Sequence, residues 1–494
     1  MDALPVQEAT LVGLPQQIRL RQRRPLVRAV GLLPDQDDRV GVAALAVGYG
    51  VADAYDRVPG VLTIDEAASE QPPEPVEPTP VLPPADESAP LPTAAGLRDA
   101  IADDVGSSAL GPRVGIVVRD AVTGDPVWTK GADRPQTPAS TAKLLTAAAV
   151  AERTDLSRTM KTTVVADGDD LVLVAAGDTM LARGDGDPTA VEGRAGLADL
   201  AEQVADSLGT KGGGSRSLRL DATYAAGERY APTWDRADVA AGYTQGVSMI
   251  GLAGDRPEPF KPSPTFPEKA VLASFAAQLD KAGVKVTVDD SPTTWRRAAP
   301  ADGEQLASVE SAPLGDVLAL ALDDSDNALT ENVARQAAVA DGAGASFAET
   351  TAWVRSTLDD AGIDLTGVKL KDNCGLSSGQ VVPARVISDV MQLGITGSAQ
   401  TMSVVLSQLP VAGLTGTLHE RYRTDESRDA AGIARAKTGT LTGTSALAGT
   451  TTTADGRLLT YVIIADRVPS TTGTLGARAA LDRIVAGITD CGCD

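Results

Sequence analysis

Ten of the chain's 31 prolines fall between residues 59 and 95, interleaved with Glu and Asp. Proline fixes φ and offers no backbone donor, and so polar a stretch buries too little apolar surface to offset the entropy of ordering it. Residues 59–95 are therefore read as an extended, polyproline-like acidic linker. The linker divides the 494-residue chain into a short N-terminal segment and a long remainder that begins near Gly96. The remainder is long enough for more than one unit of roughly 100–200 residues.

Residues 1–58 begin basic, with Arg19, Arg21, Arg23, Arg24 and Arg28, and continue into an uncharged Val, Leu, Ala and Gly run from Val40 to Ala52. The run is short for a bilayer span but fits the core of an export signal, and Ala52-Asp53-Ala54 has the small-x-small form of a cleavage site. The basic-then-apolar order reads as an export or anchor element. Asp35, Asp37 and Asp38 directly before the run argue the other way, and a short buried helix or strand is the alternative.

Net charge excludes one partner class. At −22 the chain has no basic footprint for nucleic acid. The single histidine, His419, and three cysteines, Cys374, Cys491 and Cys493, exclude a His-rich metal site and argue against a Cys/His zinc centre. No metal or organic cofactor is expected. A Ser-His-Asp triad could use only His419, so proton transfer elsewhere falls to Lys, carboxylates, Tyr or hydroxyls. The odd cysteine count leaves a disulfide to Cys374, free thiols and a soft-metal site at Cys491-Gly492-Cys493 all open.

Beyond Gly96 the pattern alternates between helix and strand. Leu97 to Val105 reads as a helix. Val114–Val118 and Val127–Trp128 read as strands joined by a hairpin over Asp120–Asp125. An apolar helix follows Pro138-Ala139-Ser140-Thr141-Ala142-Lys143-Leu144-Leu145. Between about 161 and 300 lie short strands at 164–165, 171–174, 218–221 and 284–288, with helices at 197–208 and 271–282. That is a domain-sized insertion. Helices follow at 314–322, 328–339, 347–361 and 384–393, with a loop at 372–379. The chain ends in a strand meander at 434–440, 445–453 and 458–465 and a last helix at 475–488.

Three short stretches carry chemistry. Ser140 and Lys143, three apart at a helix start, put a hydroxyl beside an amine on one face and near free N–H groups. Such a pair arises by chance about once in a chain this long. Ser325-Asp326-Asn327 falls between two helices, where these residues also serve as ordinary caps. Lys437-Thr438-Gly439 falls on a strand that could equally be a plain sheet edge. In this order, and in these local contexts, the three match the S-x-x-K, S-D-N and K-T-G set of penicillin-interacting serine enzymes. In the resulting division of labour Ser140 is the nucleophile and Lys143 its base. Ser325 relays a proton to the leaving amine. Asn327 orients Lys143 or the substrate amide. Lys437 directs positive charge towards a terminal carboxylate and Ser325, and Thr438 hydrogen-bonds that carboxylate. Gly439 lets the substrate backbone approach. The N–H groups of Ser140 and Thr440 form the oxyanion hole.

From Gly96 onward the chain resembles the low-molecular-mass class C penicillin-binding proteins, the actinobacterial type of D-alanyl-D-alanine carboxypeptidase/endopeptidase. The resemblance rests on the three motifs, on Glu331 and Arg335 after Asn327, and on Cys374-Gly375-Leu376-Ser377. It also rests on Leu409-Pro410-Val411-Ala412-Gly413, Gly416-Thr417-Leu418, Leu447-Ala448-Gly449 and the closing Cys491-Gly492-Cys493. Ser325 follows Lys143 by 182 residues. The resemblance implies accessory domains in that interval, which is several-fold shorter in class A β-lactamases, and no Glu-x-x-x-Asn deacylating base follows Ser325.

The resemblance further implies an α/β (α+β) β-lactamase/transpeptidase-like fold, an antiparallel sheet flanked by helices. Its catalytic domain would be split into 96–160 and 301–490 around an inserted 161–300, with 491–494 as a tail. The substrates would be peptidoglycan stem peptides, with β-lactam antibiotics as covalent inhibitors. The setting would be the extracytoplasmic cell envelope, reached by export or an N-terminal membrane tether. Three departures concern the substrate side: Ala176-Gly177-Asp178-Thr179 for the usual Gly-Gly-Asp-Pro, Ser378 for an Arg, and Asp372-Asn373-Cys374 for Asp-Gly-Ser. Two other readings of the same pocket are a β-lactamase or esterase, and a non-catalytic muropeptide or β-lactam sensor.

Overall fold

The computed structural model describes residues 88–209, 215–395 and 400–492, together with a two-residue pairing of Arg19–Leu20 and Leu62–Thr63. The export-like run at 40–52, the cleavage-like Ala52-Asp53-Ala54, most of the Pro-rich linker and Cys493 lie outside the described residues. The chain divides into two units, Met1–Val81 and Leu82–Asp494. The second unit holds all three motifs and every longer strand and helix. No helix among the described residues is long and apolar enough to cross a membrane.

In chain order the longer strands are β1 Val114–Asp120, β2 Pro126–Lys130, β3 Lys161–Asp167, β4 Asp170–Val174, β5 Arg216–Asp221, β6 Val286–Asp289, β7 Gln305–Glu310, β8 Arg435–Leu441, β9 Thr444–Thr452 and β10 Leu458–Ala465. The first sheet is antiparallel throughout, in the order β8-β9-β10-β1-β2. Its side chains alternate between two covered faces, as a pleated strand demands. Val117, Ala446, Ala448, Val462 and Ile464 join a core with the helix Lys143–Arg153 (α1). Ile116, Val118, Leu447, Tyr461 and Ile463 join another with Leu481, Ile484 and Val485 of the last helix, Gly473–Thr489.

The second sheet runs β7-β3-β4-β5-β6. Its β4-β5 and β5-β6 pairs are parallel. Parallel neighbours need long crossovers, and the helices Leu197–Leu208 and Pro267–Lys281 lie in those two connections. β7 pairs antiparallel with β3, so this sheet extends past residue 300, where the residue pattern places the end of the insertion. Phe275, Leu171, Leu173 and Trp295 lie in its core, and Phe347, Cys374 and Leu376 from the C-terminal half join them.

Two local expectations are corrected. The helix expected over 97–105 is two pieces, Ala94–Ala100 and Ala102–Val105, interrupted at Ile101. Order also begins before Gly96: Thr93 caps the first piece by accepting from Gly96 N, and Ala89 is buried with its carbonyl accepting from Arg457. Arg457 also donates to both oxygens of the fully buried Asp120, at 2.8 and 2.6 Å. Removing one partner of a buried pair strands the other charge at a cost of about 3–5 kcal/mol. Arg457→Ala should therefore lower unfolding stability by that amount, read as a shift in the urea midpoint at unchanged slope.

Candidate active site

α1 is buried along nearly its whole length, from Lys143 to Ala151. A helix enclosed on all sides must be apolar all round, and the Leu144-Leu145-Thr146-Ala147-Ala148-Ala149-Val150 run meets that need. Thr146 satisfies its hydroxyl on the Asn373 carbonyl at 2.6 Å, and the charged exception is Lys143, fully buried at the first turn. The residues before it, Ala139–Ala142, form a 3₁₀ turn rather than the start of the α-helix. Side chains at i and i+3 eclipse in such a turn, which sets Ser140 over Lys143.

Lys143 Nζ makes three contacts, with Ser140 Oγ at 2.9 Å, Asn327 Oδ1 at 2.6 Å and the Cys374 carbonyl at 2.8 Å. An ammonium donates to all three. A neutral amine donates to Asn327 and Cys374 and turns its lone pair to the Ser140 hydroxyl. Burial pushes the Lys143 pKa below the ordinary lysine value, while Cys374 and the carboxylates Asp372, Asp326 and Glu331 pull it back up. Lys437 is likewise fully buried, and burial and the Lys143 charge push its pKa well down against Asp323 and Asp324. The pocket thus favours loss of a proton from its amines.

Each partner of Lys143 is held in turn. Asn327 opens the helix Asn327–Ala340, and its Nδ2 donates to the Tyr243 carbonyl at 2.7 Å. Asp326 caps that helix by accepting from Leu329 N at 2.8 Å. Arg256 grips the other Asp326 oxygen at 2.8 and 3.1 Å and pairs with Glu192. Between Asp324 and Asp326, Ser325 sits at φ +58, a conformation that costs a non-glycine residue free energy and is kept only where its surroundings enforce it.

The Cys374 carbonyl belongs to a loop wrapped around the buried Asp372, which accepts from Gly375 N, Ser377 N, Gln380 Nε2 and Trp234 Nε1. Glu331 accepts from Asn373 N and Nδ2, and its burial raises its pKa to about 7. Glu331, Asp372 and Cys374 bring ligand atoms within 4.8 Å of one another, but N–H donors already occupy the carboxylates, so the trio fits a loop clamp. The acceptor for Lys143 is a backbone carbonyl, so Asp372-Asn373-Cys374 supplies it despite departing from the usual residues.

Ser140, Ser325, Asn327, Thr438 and Thr440 line a cleft of about 1100 Å³, together with residues of the segment 238–259. The structure therefore brings all three motifs together. Two expectations change. Gly439 is buried beside the Ser140 turn, and a Cβ there would lie 2.8 Å from the Pro138 carbonyl, so the close approach it permits is the protein's own. Lys437 Nζ donates to the Thr438 carbonyl at 3.1 Å and is held beneath the cleft surface. Thr438 Oγ1 donates to Thr417 Oγ1 at 3.0 Å. His419 is exposed and paired with Glu420, away from Ser140's partners. Cys374 and Cys491 are free buried thiols.

Arg256, Tyr243, Arg421 and Arg478 also line the cleft, and no pattern in the residues announces them. None belongs to a short motif, and only the fold brings them to it.

The chain matches the D-Ala-D-Ala carboxypeptidase 3 (S13) family over residues 97–256 and 256–487. It belongs to that family. It is a serine-type D-Ala-D-Ala carboxypeptidase, a peptidase hydrolase. Carboxypeptidase DacB of Mycolicibacterium smegmatis is 36% identical over 462 residues, which is 92% of this chain and 97% of the relative. A carboxypeptidase of Mycobacterium tuberculosis is 35% identical over 427 residues, 84% of this chain and 87% of its own length. The crystal structure of penicillin-binding protein 4 from Haemophilus influenzae superimposes with a TM-score of 0.62 at 18% identity, covering 80% of this chain and 98% of that one. The shared fold is the β-lactamase/transpeptidase-like one.

Proposed function

We propose that Ser140 is the acylated nucleophile and Lys143 its general base in hydrolysis of the terminal D-Ala-D-Ala bond of peptidoglycan stem peptides. The observation that carries this assignment is the Lys143 amine, buried 2.9 Å from Ser140 Oγ with its other two contacts on fixed acceptors. Neutral Lys143 takes the Ser140 proton as Oγ attacks the penultimate D-Ala carbonyl carbon. The oxyanion is met by the N–H groups of Ser140 and Thr440. The C–N bond then breaks, and the leaving amine of D-Ala takes its proton through Ser325. Water resolves the acyl-enzyme by the reverse proton path. Thr438 and Thr440 hydroxyls receive the terminal carboxylate.

A β-lactam presents the same acyl carbon, and acylation of Ser140 holds it covalently. Cross-linked D-configured bonds are a second substrate class for the same site. The substrate places the enzyme at the cell envelope, with residues 1–58 as export signal or tether, the segment from 59 to about 88 as spacer, and an accessory insertion that begins near 161 and runs through β7 in a split catalytic domain.

Released D-Ala from a stem pentapeptide, followed beside penicillin turnover, tests this reading. The expected result is one D-Ala per peptide and a persistent penicillin adduct. Rapid penicillin hydrolysis without an adduct would move the enzyme to the β-lactamase reading. Adduct formation with no D-Ala release from any stem peptide would make it a sensor.

A further inference from the structure

One end of the cleft is lined by the hydroxyl residues Thr417, Thr438, Thr440 and Thr474 and by two arginines, Arg421 and Arg478. The arginines are not equivalent. Arg421 is committed to Asp482, with Nε 3.0 and 3.2 Å from its two oxygens and Nη2 donating as well. Arg478 lies on the same helix as Asp482, Gly473–Thr489, yet has no ion pair with any carboxylate among the described residues. Its Nη2 donates to Thr440 Oγ1 at 3.1 Å, and its Nε is buried with no hydrogen-bond partner.

A guanidinium presents donors in a fixed fork that matches a carboxylate in two-point geometry. The enclosed, unpaired Nε leaves the side chain with a desolvation cost that no protein carboxylate offsets. Burial and the neighbouring Arg421 charge also hold the Arg478 pKa below the usual arginine value, a penalty that an anion would relieve. Lys437, by contrast, is buried with its Nζ on the Thr438 carbonyl. Of the two arginines at the hydroxyl-lined end of the cleft, the one without a carboxylate partner among the described residues is therefore Arg478.

We propose that Arg478 binds the free C-terminal carboxylate of the departing D-Ala, and so sets the preference for free peptide ends over amide-linked ones. The proposal rests on the D-Ala-D-Ala reading and adds to it a residue that favours leaving groups with a carboxylate beside the scissile nitrogen. Arg478 also touches Thr440, so a purely positioning role must be separated. That role would act through the Thr440 hydroxyl, which receives the same carboxylate, so it would vanish in a Thr440→Val background, where direct binding still makes Arg478→Ala costly for the acid.

The test compares a stem pentapeptide bearing a free terminal carboxylate with the same peptide as its C-terminal amide, in the wild type, Arg478→Ala and Arg478→Lys. The wild type should prefer the acid. Arg478→Ala should raise KM for the acid at least about 10-fold, in line with loss of a charge-assisted hydrogen bond. Any loss on the amide should be smaller, so the acid-to-amide ratio of kcat/KM should fall. Arg478→Lys should keep part of the preference, and it supplies the answer should the alanine variant fail to fold. An acid-to-amide ratio unchanged in the variants, or equal losses on both peptides, would overturn the assignment. A wild type that cleaves neither peptide would instead overturn the parent reading.

Discussion

Lys143→Met is expected to slow acylation of Ser140 by roughly 10³–10⁴-fold, the scale of removing a general base from an activated nucleophile. Methionine keeps the length of the side chain and is apolar, so the buried site remains filled. Two acceptors, Asn327 Oδ1 and the Cys374 carbonyl, lose their donor. The pH profile gives a second readout. Only neutral Lys143 can accept the serine proton, so kcat/KM in the wild type should fall as pH drops through the Lys143 pKa. That acid limb lies below the ordinary lysine value because burial lowers it. The stability sign follows from the same shift. The folded state binds fewer protons than the unfolded one between the lowered pKa and the normal value, so stability climbs with pH across that window. In Lys143→Met the acid limb should disappear and the climb should become shallower, with Lys437 supplying what remains. Stopped-flow acylation by a fluorescent penicillin and urea unfolding at several pH values measure both.

Gly375→Ala should disable the site without touching any catalytic side chain. Gly375 sits at φ +90, and a Cβ built there would lie 1.9 Å from the Ala139 carbonyl oxygen and 3.1 Å from Ser140 N. Both are backbone atoms of the turn that presents the nucleophile, so relief requires moving Ser140 relative to Lys143. A misplacement of about 1 Å at a reacting centre can cost roughly 10²-fold, and acylation should fall by at least that much, with a lowered melting temperature. Gly379→Ala is the matched control on the same loop. Its φ is also positive, at +74, but the nearest atom to its Cβ is the Lys371 Nζ at 3.0 Å, the far end of a flexible side chain rather than backbone. That variant should lose about 1 kcal/mol of stability and acylate at close to the wild-type rate.

Much of this molecule is legible in its residues because the informative ones act locally. The Thr453–Gly456 turn between β9 and β10, the apolar runs of β1 and β10, and the three motifs each show in a few consecutive positions. What stays hidden depends on distance. Asp326 reads as a helix cap, but its grip by Arg256 joins residues 70 apart. The Cys374 carbonyl is a backbone atom that no side-chain pattern announces. Gly439 reads as room for substrate, whereas the Pro138–Ala139 turn occupies that side. Strand β7, Gln305–Glu310, carries few β-branched residues, and only its pairing with β3 reveals it. The break at Ile101 has no proline or glycine to mark it.

One turn, Ala139–Ala142, carries the nucleophile, and the lysine directly after it activates that nucleophile. The most direct measurement of this assignment is peptide mapping of the penicillin adduct by mass spectrometry, on the wild type and on Ser140→Ala. The expected result is a single acyl adduct on the peptide containing Ser140 and none on the variant. An adduct that persists in Ser140→Ala, or that maps to Ser325 or another hydroxyl, would contradict it.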